Sequence, residues 1–391
     1  MEKKYKFETQ AIRIQSKRTH NREHAVPIYM TSSFTFENAE QGAAIFQGKE
    51  EGNLYSRFSN PNTSEFIEKL CALEGCDSGI ATASGMAAVY TSLVANLSQG
   101  DHVLASNDIF GNSLYIITQI LPKMGVEYTL VDIDDNESWE KSVKKNTKIL
   151  YLETPSNPTL KMGDLSFLGR LSSANELIFI VDNCFATPYL QQPTKFGVDL
   201  IIHSATKYID GQGRVLGGAI VGNENLVSIC YDFVRRTGAS LSPFNAWVLS
   251  KSLETLSIRM DRHCDNALKI AKFLEESALA NNVVYPHLDS YPQIELSKKQ
   301  MKYGGGLVAF ELGGGIDSGI KFLNNLKLHS LTANLGDCRS IATHPASTTH
   351  SKLTNEEQLA MGITPGFIRL SVGLEHIDDL IYDIHQSLNQ L

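Results

Sequence analysis

Seven short apolar runs between residues 79 and 222 constrain the fold more than any other feature of the chain: GIATAS, HVLAS, EYTLVDI, KILYLET, LIFIVD, DLIIHS and GGAIVG. They are rich in Ile, Val and Leu, and most lack the polar alternation of a strand with one wet face. Such runs fit strands covered on both faces, so they predict an α/β domain with a mainly parallel seven-stranded sheet. Helical stretches lie between them. In GMAAVYTSLVANL, for example, Met86, Tyr90, Leu93, Val94 and Leu97 recur at helical spacing. In sheets of this kind ligands sit at the carboxyl ends of the strands. That rule singles out Ser84, Ser106, Asp182 and Ser204, each of which closes an apolar run.

The rest of the chain divides around this core. Residues 1–60 show little periodicity and include VPIYMTSSFTF and GNLYSRFSNPNT. They read as an arm without a core of its own, which must lie on its own body or on a neighbouring subunit. The large domain is expected over 61–250. In LSPFNAW, Ser242 can cap a helix and Pro243 suits its first turn; Leu249, Leu253, Leu256, Met260, Cys264, Ala267, Ala271 and Leu274 then follow at spacings of three and four. This predicts one amphipathic helix of roughly 30 residues, ~45 Å long, leading into a smaller C-terminal α+β domain over 251–391.

With 391 residues, 42% of them hydrophobic, the chain has material for two to three domains. No stretch approaches the roughly 18 apolar residues of a membrane span. The start, MEKKYK, lacks the apolar segment of a secretory signal, so a cytoplasmic protein is expected. A net charge of −8 without a long basic block argues against a nucleic-acid binder. Six scattered cysteines with no C-x-x-C pair read as free thiols, with neither a disulfide framework nor a metal site.

Packing rules leave Lys207 unexplained. It follows the apolar run Leu200-Ile201-Ile202 in HSATKYIDGQGR, and an amine at the mouth of a core strand is costly unless something uses it. Alone, Lys207 reads as a solvated lysine and Asp182 as a carboxylate accepting loop amides. Two successive strand ends that present a carboxylate and an amine point instead to a site. Ser204 and Thr206 put hydroxyls beside the amine. Ser84-Gly85, at a strand-to-helix junction, offers free N–H groups and a helix dipole to an anion, with no Cβ at Gly85 to block approach. Arg369, late in the chain, suits a carboxylate. Neither nucleotide fingerprint, G-x-x-x-x-G-K-[ST] nor G-x-G-x-x-G, follows a strand. Amine, carboxylate, anion cradle and arginine together suit pyridoxal phosphate: the lysine bonds its aldehyde, the carboxylate pairs with its ring nitrogen and the cradle holds its phosphate.

The blocks YSRFSNPN, TASGMAA, ETPSNP, VDNCFATPYLQQPTKFGVDLIIHSATKYIDGQG, LSPFNAW, NLGDCRSIATHPASTTH and FIRLSVGLE occur in that order over nearly the whole chain. They resemble the Cys/Met-metabolism pyridoxal-phosphate enzymes, the cystathionine γ-synthase-like group of fold type I. Within that group, HSATKYIDGQGR, LSPFNAW and ANLGD most resemble the O-succinylhomoserine sulfhydrylase branch. The resemblance implies the type I transferase fold and a γ-replacement in methionine biosynthesis. An O-acylhomoserine, succinyl or acetyl ester, would react with sulfide to give homocysteine. Cystathionine γ-synthase and methionine γ-lyase activities stand as alternatives, and a non-catalytic binding protein on the same fold as a third.

The resemblance also implies roles. Lys207 would be the imine-forming lysine and base, Asp182 would meet the pyridine nitrogen, and Gly85, Met86, Ser204 and Thr206 would hold the phosphate. Phe110 would stack on the ring where many members have tyrosine, and it carries no hydroxyl for proton transfer. Asn157 would lie near the ring. Arg369 and Asn334 would meet the substrate, Asn334 standing where lyase relatives often carry serine. Tyr55 and Arg57 would reach the phosphate of a neighbouring subunit's cofactor, with Tyr55 also touching substrate and moving protons, in a homotetramer built from dimers. His203, His344 and Cys184 read as structural, PASTTH as a segment ordering the site entrance, and Arg214 and Arg339 as candidates for the acyl group's carboxylate.

Overall fold

The apolar runs become seven strands of one sheet: β1 (Ser78–Thr82), β2 (His102–Ser106), β3 (Glu127–Val131), β4 (Thr147–Glu153), β5 (Ile178–Asp182), β6 (Leu200–Ser204) and β7 (Gly218–Gly222). The coordinates are a computed structural model and describe residues 5–348, 351 and 354–391. Strand order is β1-β7-β6-β5-β4-β2-β3. β3, β2, β4, β5 and β6 pair in parallel, while β7 runs antiparallel to both β6 and β1. A parallel return would need a long crossover, usually helical. The segment after β6 is instead spent on the turn that carries Lys207, so the chain comes straight back.

Period-two geometry explains why the runs are apolar throughout. Leu150, Leu152, Phe179, Val181 and Ile201 face one core, whereas Ile149, Tyr151, Ile178, Ile180, Leu200 and Ile202 face another on the opposite side of the sheet. The first core is continuous with that of a second, five-stranded sheet. Its strands are β8 (Ala280–Val284), β9 (Leu307–Leu312), β10 (Ser330–Leu331), β11 (Ile341–Thr343) and β12 (Phe367–Ser371), in the order β10-β11-β12-β9-β8. The helices Leu256–Glu275, Gly315–Asn325 and Ile377–Leu388 cover it, with Phe322, Leu380 and Ile384 in the shared core.

The expected 30-residue helix is two helices, Pro243–Leu253 and Leu256–Glu275. Ser242 caps the first, its Oγ accepting from Asn245 N at 3.1 Å. The break follows from a buried guanidinium. Arg259 Nη2 takes the Ser252 carbonyl at 3.0 Å, and Thr255 N turns to the same oxygen at 3.2 Å. A charged donor in the core must find acceptors, and that need outweighs the continuation of one helical ladder. Hydrophobic spacing runs through the break and gives no sign of it.

The arm carries two short helices, Phe7–Arg13 and Ala39–Phe46, that its sequence pattern does not announce. Its first part is tied to its own body: Ser16 N donates to Glu65 Oε2 at 2.9 Å, Tyr29 N to Asn62 Oδ1 at 2.8 Å, and Trp247 Nε1 to the Val26 carbonyl at 2.9 Å. Farther along, Met30, Phe46 and Tyr55 are exposed. Among the described residues no helix is long and apolar enough to cross a membrane. Thr349 and His350, the end of PASTTH, lie outside the described residues.

Candidate active site

The ends of β4, β5 and β6 lie side by side, and the register puts Glu153 beside Asp182 and Asp182 beside Ile202. Just beyond these ends opens a cavity of about 430 Å³ lined by Lys207, Asp182, Gly85, Met86, Phe110, Ser204, Thr206, Asn157 and Arg369, with Glu153, Asn112 and Ser113 among its other walls. Asn334 joins it by accepting a 2.6 Å hydrogen bond from Lys207 Nζ on its Oδ1. Tyr55 and Arg57 are elsewhere. Tyr55 is 43% exposed on the arm. Arg57 lines a separate hollow of about 640 Å³, with its guanidinium 4.8 Å from the Phe58 ring centre and Nη1 on the Arg235 carbonyl. That hollow is the larger of the two but contains neither Lys207 nor Asp182.

After β6 the chain turns tightly, with Lys207 N donating to Ser204 O at 3.2 Å and Gly211 N to Lys207 O at 2.8 Å. The turn is braced from outside. Arg259 Nη1 and Nη2 reach the Tyr208 and Ile209 carbonyls at 2.5 and 3.1 Å. Gly211 has φ +68°, and a Cβ there would come within 2.0 Å of Arg259 Nη1, so only glycine fits. Arg214 folds back on the Asp210 carboxylate, N and Nε at 2.7 and 3.0 Å, while Arg339 binds Asp337 and the Gln212 carbonyl. The IDGQGR segment is therefore the frame of the lysine turn. Arg214 and Arg339, the candidates for the acyl carboxylate, belong to that frame and are not among the residues that line the cavity.

Burial governs the electrostatics. It lowers the Lys207 ammonium below its ordinary range, against a pull from Cys184, with Arg369 lowering it further. It pushes the Asp182 carboxyl up to about 6, opposed by the Cys184 amide at 3.0 Å and by His203. It pushes Arg369 down to about 10, against Tyr208 and Glu153, which leaves the guanidinium charged at neutral pH. Arg369 Nη1 donates to Asn157 Oδ1 at 2.8 Å, and its Nε is buried without a partner. His203 and His344 are engaged in structure. His203 Nε2 meets Glu74 Oε1 at 2.6 Å, and the two ring nitrogens of His344 meet Ser347 Oγ and the Pro365 carbonyl at 2.7 and 2.8 Å.

The candidate anion cradle lies where the helix Gly85–Val94 starts. Ser84 Oγ accepts from Ala87 N at 3.1 Å, and the first intrahelical bond runs from Ala88 N to Ser84 O, so the Gly85 and Met86 amides precede it. A Cβ on Gly85 would lie 2.5 Å from Ser204 Cβ and fill the cradle. Thr206 lines the same wall, its hydroxyl accepting from Gly217 N at 3.1 Å and donating to Gly217 O at 3.2 Å. Glu153 is the cavity residue that sequence reasoning passed over. KILYLE ends in a carboxylate after an apolar run just as LIFIVD does, so the signal was present.

These residues fit pyridoxal phosphate: a desolvated amine for the aldehyde, a buried carboxylate for the ring nitrogen and a helix start left open by glycine for the phosphate. Across residues 8–389 the sequence matches the model of the Cys/Met metabolism PLP-dependent enzyme family. The chain belongs to that family. It is 41% identical over 385 residues to the O-succinylhomoserine sulfhydrylase of Pseudomonas aeruginosa, covering 98% of this chain and 96% of that one. It is 43% identical over 396 residues to the L-methionine gamma-lyase of Fusobacterium nucleatum subsp. polymorphum, covering 100% and 99%. Among solved structures, a Campylobacter jejuni protein carrying a pyridoxyl-lysine monophosphate superposes with a TM-score of 0.94 at 38% identity, over 98% of this chain and all of that one. MetB of Corynebacterium glutamicum gives 0.93 at 35% identity, over 99% and 98%. The fold is thus that of the type I PLP enzymes, and the cofactor is pyridoxal phosphate.

Proposed function

We propose that this family member catalyses a γ-replacement in which O-succinylhomoserine, or its acetyl counterpart, and sulfide give homocysteine and the free acid. The Cγ–O bond breaks with its electron pair leaving on the carboxylate, and a Cγ–S bond forms from sulfide. Bound pyridoxal phosphate supplies the electrophile for the substrate amine and a ring that accepts carbanion electrons. The chain's own residues do the rest. Arg369, held by Asn157, grips the α-carboxylate bidentately. Lys207 Nζ, resting on Asn334 Oδ1 at 2.6 Å, takes protons from Cα and Cβ and returns them, helped by an amine affinity already lowered by burial. Asp182 offers its carboxylate to the ring nitrogen, and Phe110 covers the ring face.

Phe110 carries the reading. At this wall of the cavity the chain has a ring with no hydroxyl. A carboxylate leaves from Cγ without a proton, since its conjugate acid has a pKa of about 4, whereas a thiolate, at about 8.5 or above, gains from a general acid. With no hydroxyl at position 110, this wall of the site suits an ester better than methionine. The similarity to methionine gamma-lyases supports a second reading, elimination from methionine. Purified holoenzyme given either ester with sulfide, with cysteine or with no acceptor, and methionine alone, decides between them. We expect homocysteine from the ester and sulfide to dominate. Release of 2-oxobutyrate and a thiol from methionine at a comparable rate would favour the lyase. We further propose that Tyr55 and Arg57 complete the site of a neighbouring copy in a homotetramer built from dimers, since both lie outside the cavity of their own chain.

A further inference from the structure

The Phe110 ring is 38% exposed, and no ring–ring contact among the described residues holds it. Its backbone, which fixes where the ring can reach, stands at the N-cap of the helix Gly111–Tyr115 with φ −54° and ψ 132°. The Phe110 N–H points into the cavity wall and donates to Glu153 Oε2 at 2.9 Å. Glu153 is 3% exposed at the end of β4, and its in-register neighbour on β5 is Asp182. Two carboxyl groups at adjacent strand ends in a desolvated wall cannot both ionise cheaply. Asp182 must be the anion if it faces a protonated ring nitrogen, so Glu153 is left to keep its proton.

We propose that Glu153 is a positioning residue that holds the Phe110 ring over the cofactor through the Phe110 amide, and that it does so as a neutral carboxyl group. Burial and the Asp182 charge both push its proton affinity well above the ordinary range. The Phe110 amide and Arg369 pull the other way, and no ion pair among the described residues engages it. A glutamine has nearly the same shape and can accept the same bond, so charge and hydrogen bonding can be separated at this position. The inference rests on reading this cavity as the cofactor site and is independent of which acceptor attacks Cγ.

The test compares E153Q, E153A and F110A holoenzymes by the visible circular dichroism of the lysine-bound cofactor and by the cofactor dissociation constant on reconstitution. E153Q is expected to keep the band shape, with a Kd within about twofold of wild type. E153A is expected to weaken cofactor binding about tenfold and to change the band as F110A does. E153A/F110A should be no worse than F110A. The proposal is overturned if E153Q behaves like E153A, if E153A leaves the band unchanged, or if the two defects add. Should E153A not fold, E153Q against F110A still decides: a glutamine variant with the F110A band sinks the idea. Failure of the underlying site reading looks different, because wild-type protein would then develop no visible band with pyridoxal phosphate.

Discussion

Arg369 carries the sharpest energetic constraint at the scale of a single residue. It is 3% exposed, its best acceptors are the neutral Asn157 Oδ1 at 2.8 Å and the Asn334 carbonyl at 3.4 Å, and no carboxylate pairs with it among the described residues. A buried cation with an idle Nε raises the free energy of the empty site, and on the proposed reading a bidentate substrate carboxylate would relieve it. Lysine keeps the charge but loses the fork. R369K is therefore expected to lower kcat/KM about 100-fold, or ~2.7 kcal/mol, mainly through KM. The visible band of bound cofactor should stay as in wild type, and a shifted band would mean that Arg369 serves the cofactor instead. Lys207, Asp182 and Arg369 were legible in the sequence because a charge set against an apolar run has no inexpensive structural use. Glu153 occupies an equivalent place but stayed hidden. Its role depends on which of two neighbouring acids holds the proton and on a backbone amide 43 residues away in the chain, neither of which residue types reveal.

Among the secondary-structure elements, the junction of β1 with the helix Gly85–Val94 is the one expected to hold the phosphate. A Cβ on Gly85 would sit 2.5 Å from Ser204 Cβ, 2.7 Å from its Oγ and 2.9 Å from its Cα. The last of these is backbone at the end of β6 and cannot swing away. Alanine is the better helix former by about 1 kcal/mol, so G85A should leave far-UV circular dichroism unchanged while the cradle closes. The expected result is a cofactor Kd raised about tenfold or more, with a smaller change for pyridoxal, which lacks the phosphate. Equal losses for both ligands would remove the cradle from the phosphate's neighbourhood. At this scale the strands were readable, because burial on both faces forces the same residue types into every run. Two features were not. The antiparallel direction of β7 depends on how the turn after β6 is spent. The break between Leu253 and Leu256 depends on Arg259 taking the Ser252 carbonyl while it is buried against the lysine turn at Tyr208 and Ile209, a burial that the helical spacing does not reveal.

At the scale of the whole molecule, the arm presents the unsolved packing problem. Its first part bonds to its own body through Glu65, Asn62 and Trp247. Met30 and Phe46 beyond it are 70% and 67% exposed, and Tyr55 and Arg57 sit outside the cavity of their own chain. An exposed apolar arm next to two residues suited to an anion is the pattern expected of an element that finishes a neighbour's site. If sites are shared, K207A and R57A damage different halves of each site, and a mixed dimer contains one site with both defects and one with none. Each variant alone should be nearly inactive. Co-expression at equal levels makes half of the dimers mixed, so about a quarter of all sites, and of wild-type activity, should return. Differently tagged copies establish that mixed oligomers formed. Mixed oligomers without recovered activity would place Arg57 and Lys207 in the same site of one chain or in no common site, and the exposed arm would then need another occupant. Recovery near a quarter would instead assign the apolar face of the arm to a second copy and make the single chain an incomplete enzyme, whatever its fold.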